Sequence, residues 1–340
     1  TLYTAMGGMR AVVWTDVAQF CVLFGGLGLG LALATDGADF SALLATAREG
    51  GRLRPFLPFD PAFLSPDPTL RMTLWSGLLG VTVAFLARYG ADQVVVQRYF
   101  TARSLRTAQM AFHLNYAAAI LALLTLALLG FAMYAHAVGV GAAGIDSDQP
   151  MFWFTSFIRS LPAGATGLVV VGLAAATMSS MDSGINSCCA AVVTDFYRRF
   201  HPGLSAETPG LNRRLSLLFG MIATLAAMSV GHLGTIFEIA NKIINGFGSP
   251  LLAIFLLGMF STTASSRGML IGGILGAFWS AGVSFGVKGM SLHYYAVVNF
   301  TGTWLLCYGI SRVDGHFFSG GPSPYQSRWT WTALRRGGSQ

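Results

Sequence analysis

The sequence is poor in charge. Of its 340 residues, 10% are Asp, Glu, Lys or Arg, against about 25% in an ordinary soluble domain. So few charges cannot solvate a globule of this size, which excludes an ordinary soluble enzyme, and the low polarity also excludes a disordered chain. Lysine is almost missing: Lys242 and Lys288 are the only two among 21 basic residues. Cysteine is scarce. Cys21, Cys188, Cys189 and Cys307 lie inside apolar runs, with neither metal-ligand spacing nor a secreted disulfide pattern, and read as small core residues. The six histidines are scattered, with no HExxH motif and no Cys/His cluster. There is no Walker loop and no GxGxxG at a strand–helix turn, so nucleotide-driven work has no site and no enzyme reading survives. A charged stretch leading into a short apolar run and a cleavage site is missing too, so no signal peptide is read. The chain starts at Thr1 without methionine, which is read as the start of a fragment.

What is present is apolar length. Hydrophobic residues make up 54% of the chain, with 42 glycines, and mean hydropathy is +0.59. A spanning helix needs about 20 mostly apolar residues. Eight segments meet that test: 12–35, 73–95, 110–137, 163–193, 213–231, 235–260, 268–287 and 293–311. They are too long and too continuous for barrel strands, so the expectation is an all-α polytopic membrane protein. The fourth is longer than a bilayer requires and is expected to tilt or to extend past it.

Arginine then sets orientation. Arg98, Arg103 and Arg106 follow the second segment; Arg198, Arg199, Arg213 and Arg214 follow the fourth; Arg267 follows the sixth. Arg312, Arg328, Arg335 and Arg336 lie at or beyond the end of the eighth. The alternate links are poorer in positive charge. This positive-inside pattern puts both ends in the cytoplasm, in a cell membrane, and explains the basic balance without nucleic acid. The organisation expected is a transmembrane region over 1–314 and a polar cytoplasmic tail over 315–340.

Ionisable groups inside apolar runs cost about 2.5–3.5 kcal/mol each on insertion scales, so they face protein or water and are functional candidates. Arg88 and Asp92 stand four apart, as do Glu238 and Lys242. On a helix each pair shares a face and can neutralise itself; alternatively Arg88 or Lys242 lines a solute path and meets an anion. Asp16 and Asp182 have no local cation, and either reach water near helix ends or bind a cation. Ser179, Ser180 and Ser183 surround Asp182. Hydroxyls and a carboxylate suit a hard cation, although serines in membrane helices also bond neighbouring helices. In the sixth segment, Asn245-Gly246-Phe247-Gly248-Ser249-Pro250 brings two glycines and a proline together. That is expected to interrupt the helix, as transporter binding sites do, or to kink it.

These stretches resemble the sodium/solute symporter family, which includes sodium–glucose, proline, pantothenate and sialic acid transporters. The likeness rests on Gly7 through Val17 (GGMRAVVWTDV), on Tyr89-Gly90-Ala91-Asp92-Gln93 with Gln97-Arg98-Tyr99, on Ala174 through Ser187 (AAATMSSMDSGINS), and on Gly248 through Phe260. They fall in the family's order over about residues 1–260. The resemblance implies the leucine-transporter-type inverted-repeat fold, here partial: core helices five to ten plus two further helices, without the first four. It implies a sodium site with the hydroxyls of Ser179 and Ser180 and the carbonyl of Ala176. A second site of some members maps to Asp16, Ser179 and Ser183, with Asp182 where such members can have serine. Tyr89 matches an aromatic gate position beside Arg88, and Lys242 falls near a solute-contacting position. Two cations there would favour an anionic solute such as a monocarboxylate. Sodium is then the co-transported ion, and the partners are a small solute, sodium and the bilayer, with no nucleic acid and no obligate protein partner. The alternatives are a proton-coupled carrier using Asp16 or Asp182 as relay, and a transporter-like membrane sensor.

Overall fold

The computed structural model describes residues 2–35, 40–51, 61–70, 73–139, 150–201, 209–230 and 236–317. Among these there are helices and turns but no strand. The chain divides into two units, each discontinuous in sequence: Thr1–Phe56 with Thr101–Leu225, and Leu57–Phe100 with Ala226–Gln340. Of the tail expected over 315–340, residues 315–317 belong to the last helix of the second unit, and 318–340 lie outside the described residues.

In the first unit, α1 (Leu2–Ala34) lies against α8 (Ala163–Ala191). Glycine permits their approach. A Cβ at Gly26 would sit 3.1 Å from the Leu168 carbonyl oxygen and 3.5 Å from the Gly172 Cα, so the two backbones touch. On the other flank of α1 runs α6 (Leu105–Gly139), followed by the short α7 (Pro150–Ser160). Leu129, Met133 and Phe157 form the core there, with Leu27, Leu31, Trp153 and Phe154 around them. The amphipathic α2 (Phe40–Glu49) packs on α6. α2 and α7 occupy links that carried no helix expectation.

α8 does not stop at Ala191. A π-helical stretch, Val192–Tyr197, and the short α9 (Arg198–Phe200) extend it, and the run Ala163–Phe200 measures 38 residues. At about 1.5 Å per residue this run is longer than a hydrocarbon core of about 30 Å requires. α10 (Pro209–Val230) follows, with Ser216 Oγ 3.4 Å from Cys189 Sγ. Cys189 is buried, whereas Cys21 and Cys188 are exposed on helix surfaces, so only part of the cysteine set is core.

The second unit begins with the one-turn α3 (Pro61–Leu64). Thr73 and Ser76 then exchange bonds: the Ser76 N–H donates to Thr73 Oγ1 at 3.1 Å, and the Thr73 N–H donates to Ser76 Oγ at 2.9 Å. This reciprocal cap starts the next helix. That helix is built of a π-helical stretch Ser76–Val81, α4 (Thr82–Leu86) and a second π-helical stretch Ala87–Ala91. At Asp92 the backbone turns extended (φ −70, ψ 120), and α5 (Gln93–Phe100) departs at 45°. The expected single helix over 73–95 is therefore broken.

The opposite correction applies to α11 (Ile236–Phe260). It runs unbroken through Asn245–Pro250, with Pro250 inside it. Its glycines serve contact. A Cβ at Gly248 would lie 3.7 Å from the Ala87 Cβ, and one at Gly246 3.3 Å from Ser284 Oγ. Leu252 closes a small core with Ala87 and Ala91.

α12 (Ser266–Gly286) starts at Ser265, whose Oγ accepts from the Gly268 N–H at 2.9 Å. Gly289, at φ +83, turns the chain into α13 (Leu292–Phe317). The two pair antiparallel through small residues one turn apart. A Cβ at Gly272 would meet the Cys307 Cα at 2.5 Å, and one at Gly276 would meet Thr303 Cγ2 at 2.5 Å.

Five helical runs are long and apolar enough to cross a membrane: Val12–Ala34, Leu105–Val138, Ala163–Phe200, Ile239–Phe260 and Ser266–Gly286. The bent pair Ser76–Ala91 and Gln93–Phe100 makes a sixth. The remaining expected spans fall on α10 and α13, which are helical but outside that group among the described residues. In α13, polar Asn299 and Thr303, both fully buried, dilute the apolar signal. Large apolar side chains such as Trp14, Leu123 and Phe278 stand exposed on helix surfaces, as lipid contact requires.

Candidate functional site

Two polar places stand out, one in each unit. The first lies where α1 meets α8. Asp16 and Ser179 are both half-buried, and Ser179 Oγ donates to Asp16 Oδ1 at 2.6 Å. A short bond to a carboxylate is a strong one. Helical spacing puts Ser183 one turn beyond Ser179 on the same face. Ser183 is buried, and neighbouring Asp182 is 2% exposed. Ser180 faces elsewhere. It is exposed, and its Oγ donates back to the Ala176 carbonyl at 3.2 Å. The expected set therefore divides into an Asp16–Ser179 pair bridging two helices and an Ala176–Ser180 pair on a separate stripe of α8. The Ala176 carbonyl is shared with a side chain, which loosens its hold in the helix.

The second place is a cavity of about 290 Å³ in the second unit, where the Ala87–Asp92 break faces α11. Its polar lining is Arg88, Asp92, Asn245 and Ser249; Ala84, Ile243, Phe247 and Leu251 supply much of the apolar wall. Arg88 and Asp92 do not pair. A π-helical turn does not keep residues four apart in register, as its bonds run from i to i+5: the Asp92 N–H reaches back to the Ala87 carbonyl at 3.0 Å. Asp92 then leaves helical geometry and caps α5. Its Oδ1 accepts from the Val94 N–H at 2.9 Å, and its carbonyl accepts from the Val96 N–H at 2.9 Å. This is the N-cap arrangement that aspartate favours. The Arg88 guanidinium makes no hydrogen bond or ion pair with any described residue.

Tyr89 and Lys242 are not among the lining residues of this cavity. Tyr89 stacks on Phe85 with ring centroids 5.8 Å apart, and its carbonyl accepts from the Tyr99 hydroxyl at 3.5 Å. Lys242 is half-buried on α11, and the side chain of Glu238, its expected partner, lies outside the described residues. Sequence reasoning did not single out Asn245 and Ser249 as lining residues. Their signal is visible in retrospect as polar residues one turn apart in an apolar helix.

The sodium:solute symporter family profile matches residues 1–276. The chain belongs to that family. This symporter-family chain is 32% identical over 293 residues to the sodium-coupled monocarboxylate transporter 2 of Bos taurus, covering 83% of this chain and 46% of that protein. It is 30% identical over 289 residues to the sodium-dependent multivitamin transporter of Oryctolagus cuniculus, covering 82% and 44%. The chain thus spans about half the length of the curated relatives it matches. Among solved structures it is similar to a Na+-coupled sialic acid symporter in a substrate-bound, outward-open state. The TM-score is 0.72 at 22% identity, over 92% of this chain and 64% of that one. The leucine-transporter-type fold implied by the motifs is thereby shown, and the chain is a membrane protein.

Proposed function

We propose that this chain forms part of a sodium-coupled symporter for a small organic anion, with a monocarboxylate as the first candidate. The observation that carries the reading is the Arg88 guanidinium, unpartnered among the described residues, in a cavity whose wall is largely apolar. A planar guanidinium matches a carboxylate in two parallel bonds. The apolar wall suits a short hydrocarbon body. The relative named for monocarboxylates supports the same class. Asp92 lines the same cavity but forms no ion pair with Arg88; its Oδ1 accepts from the Val94 N–H at the start of α5.

Sodium has a fitting set of oxygens in the first unit. The Asp16 carboxylate and the hydroxyls of Ser179 and Ser183 are oxygen donors of the kind a hard cation prefers. Ala176 and Ser180 offer a carbonyl and a hydroxyl for a second ion, completed by residues from elsewhere in the full transporter. If sodium and solute favour the same outward-open state, their binding is coupled reciprocally by about 1–3 kcal/mol. The arginine-rich links support a cell-membrane orientation with both ends cytoplasmic.

Uptake of a labelled short-chain monocarboxylate by the complete transporter, with sodium varied, tests this. The expected result is sodium-dependent uptake, with Ser179→Ala/Ser180→Ala raising the sodium concentration for half-maximal uptake. Uptake that ignores sodium and follows a proton gradient would overturn the reading and move the role of Asp16 and Asp182 to proton relay.

A further inference from the structure

A second polar group of the second unit is not used by the reading above. It lies between α11, α12 and α13. Asn299 of α13 donates through Nδ2 to Ser284 Oγ of α12 at 3.1 Å and to the Asn245 carbonyl of α11 at 3.4 Å. One layer is thereby satisfied. The next layer is not. Ser249 Oγ, Ser280 Oγ, Thr303 Oγ1 and Asn299 Oδ1 are buried, and none has a hydrogen-bond partner among the described residues. Their residues are 0–1% exposed.

Helix register brings the three hydroxyls to one level, one turn from Asn299, within the span that a single water between the two layers can bridge. α12 and α13 run antiparallel: Gly276 faces Thr303 and Ser284 is bonded to Asn299, so Ser280 falls between them. α11 and α12 also run antiparallel: Gly246 faces Ser284 and Gly273 faces Ile254, which sets Ser249 near Ser280. α11 and α13 are therefore parallel. Asn245 is level with Asn299, so one turn onward Ser249 is level with Thr303.

We propose that Ser249, Ser280, Thr303 and the side-chain oxygen of Asn299 enclose a resident water molecule between α11, α12 and α13. Buried polar groups are normally hydrogen-bonded, and an interior water is the usual partner when protein supplies none. The donor set selects water over a metal ion. Three hydroxyls each donate and accept, and the amide oxygen only accepts. A water can donate to Asn299 Oδ1 and one hydroxyl while accepting from the other two. A cation would take the lone pairs, leave three hydroxyl protons without acceptors in this layer, and find no carboxylate to balance its charge.

The position gives the water a role. Asn245 and Ser249 line the Arg88 cavity, so the water sits behind that wall. It ties α11 to the α12–α13 pair next to Pro250, where the proline has no N–H to give the Gly246 carbonyl. It thus helps keep α11 helical where its own ladder is weakest.

The test is a density map of the complete wild-type transporter at a resolution that shows waters, paired with thermal unfolding of Ser280→Ala and Thr303→Val. The expected map has one peak within hydrogen-bond distance of all four oxygens. Each substitution leaves the water one partner short and is expected to lower Tm by about 2–4 °C, the scale of a lost hydrogen bond. A layer without a peak, its side chains bonded to one another, would overturn the proposal, as would a rise in Tm for Ser280→Ala. A peak that scales with sodium or potassium, with a Tm that follows the same ion in wild type but not in Ser280→Ala, would replace water by a cation and overturn it too.

Discussion

Two stretches of the second unit face each other and behave in opposite ways. At 245–250 two glycines and a proline sit within six residues, yet α11 passes through without a break. At 87–92 there is one glycine and no proline, yet the helix ends and the chain departs at 45°. The difference lies in what the backbone gains. Asp92 offers a carboxylate to the Val94 N–H, which supplies the start of a new helix. Pro250 only removes one donor, and packed membrane helices tolerate that loss. Gly246 and Gly248 admit neighbours, Ser284 on one side and Ala87 on the other. A polar cap therefore breaks this unit where poor helix formers do not. The break leaves Arg88 and Asp92 on one cavity, with Asp92 turned to cap α5.

If glycine here serves approach rather than bending, substitution should hurt in proportion to contact. Gly276→Val is expected to have the largest effect, because a Cβ there would already meet Thr303 at 2.5 Å. Overpacking of this kind costs about 1–3 kcal/mol, read as lost Tm of the purified transporter. An unchanged Tm would mean that α12 and α13 part easily. Asp92→Ala should lose about 1 kcal/mol of stability through the missing cap, while Asp92→Asn, an equally good cap, should stay near wild type. If both variants lose stability alike, the charge of Asp92 matters and the capping account is wrong. Gly248→Ala is the mildest. The added methyl meets the Ala87 Cβ at an ordinary 3.7 Å, and removing a helical glycine gains up to about 1 kcal/mol. A marked loss of uptake in that variant would indicate that α11 must unwind at Gly248 to work.

The apolar runs made the helices legible, because lipid demands unbroken lengths of them. The pairing of Asp16 with Ser179 followed from motifs, although the distance and the turning away of Ser180 needed the packed helices. Of the two readings open for Arg88 and Asp92, the self-pairing fails because four-residue spacing implies a shared face only while the helix stays α. A π-helical turn cancels that rule, and nothing in Ala87-Arg88-Tyr89-Gly90-Ala91 announces one. Glycine was ambiguous for a similar reason: whether it bends or admits a neighbour depends on the facing helix. The ladder from Gly268 through Gly276 to Ser284 is written every fourth residue and could have been read as a packing stripe. The oxygens it encloses could not, since their level depends on three helices together.

The central claim is that Arg88 receives the anionic solute and is not held by Asp92. It is tested most directly by the KM for a monocarboxylate in the complete transporter carrying Arg88→Gln alone and together with Asp92→Asn. A lost charge-assisted bond of about 1.5–3 kcal/mol corresponds to a rise of roughly 10- to 150-fold. The account predicts that rise in the single variant, with normal expression, and no recovery in the double. Recovery of KM in the double variant would show that Arg88 serves Asp92 and would contradict the claim.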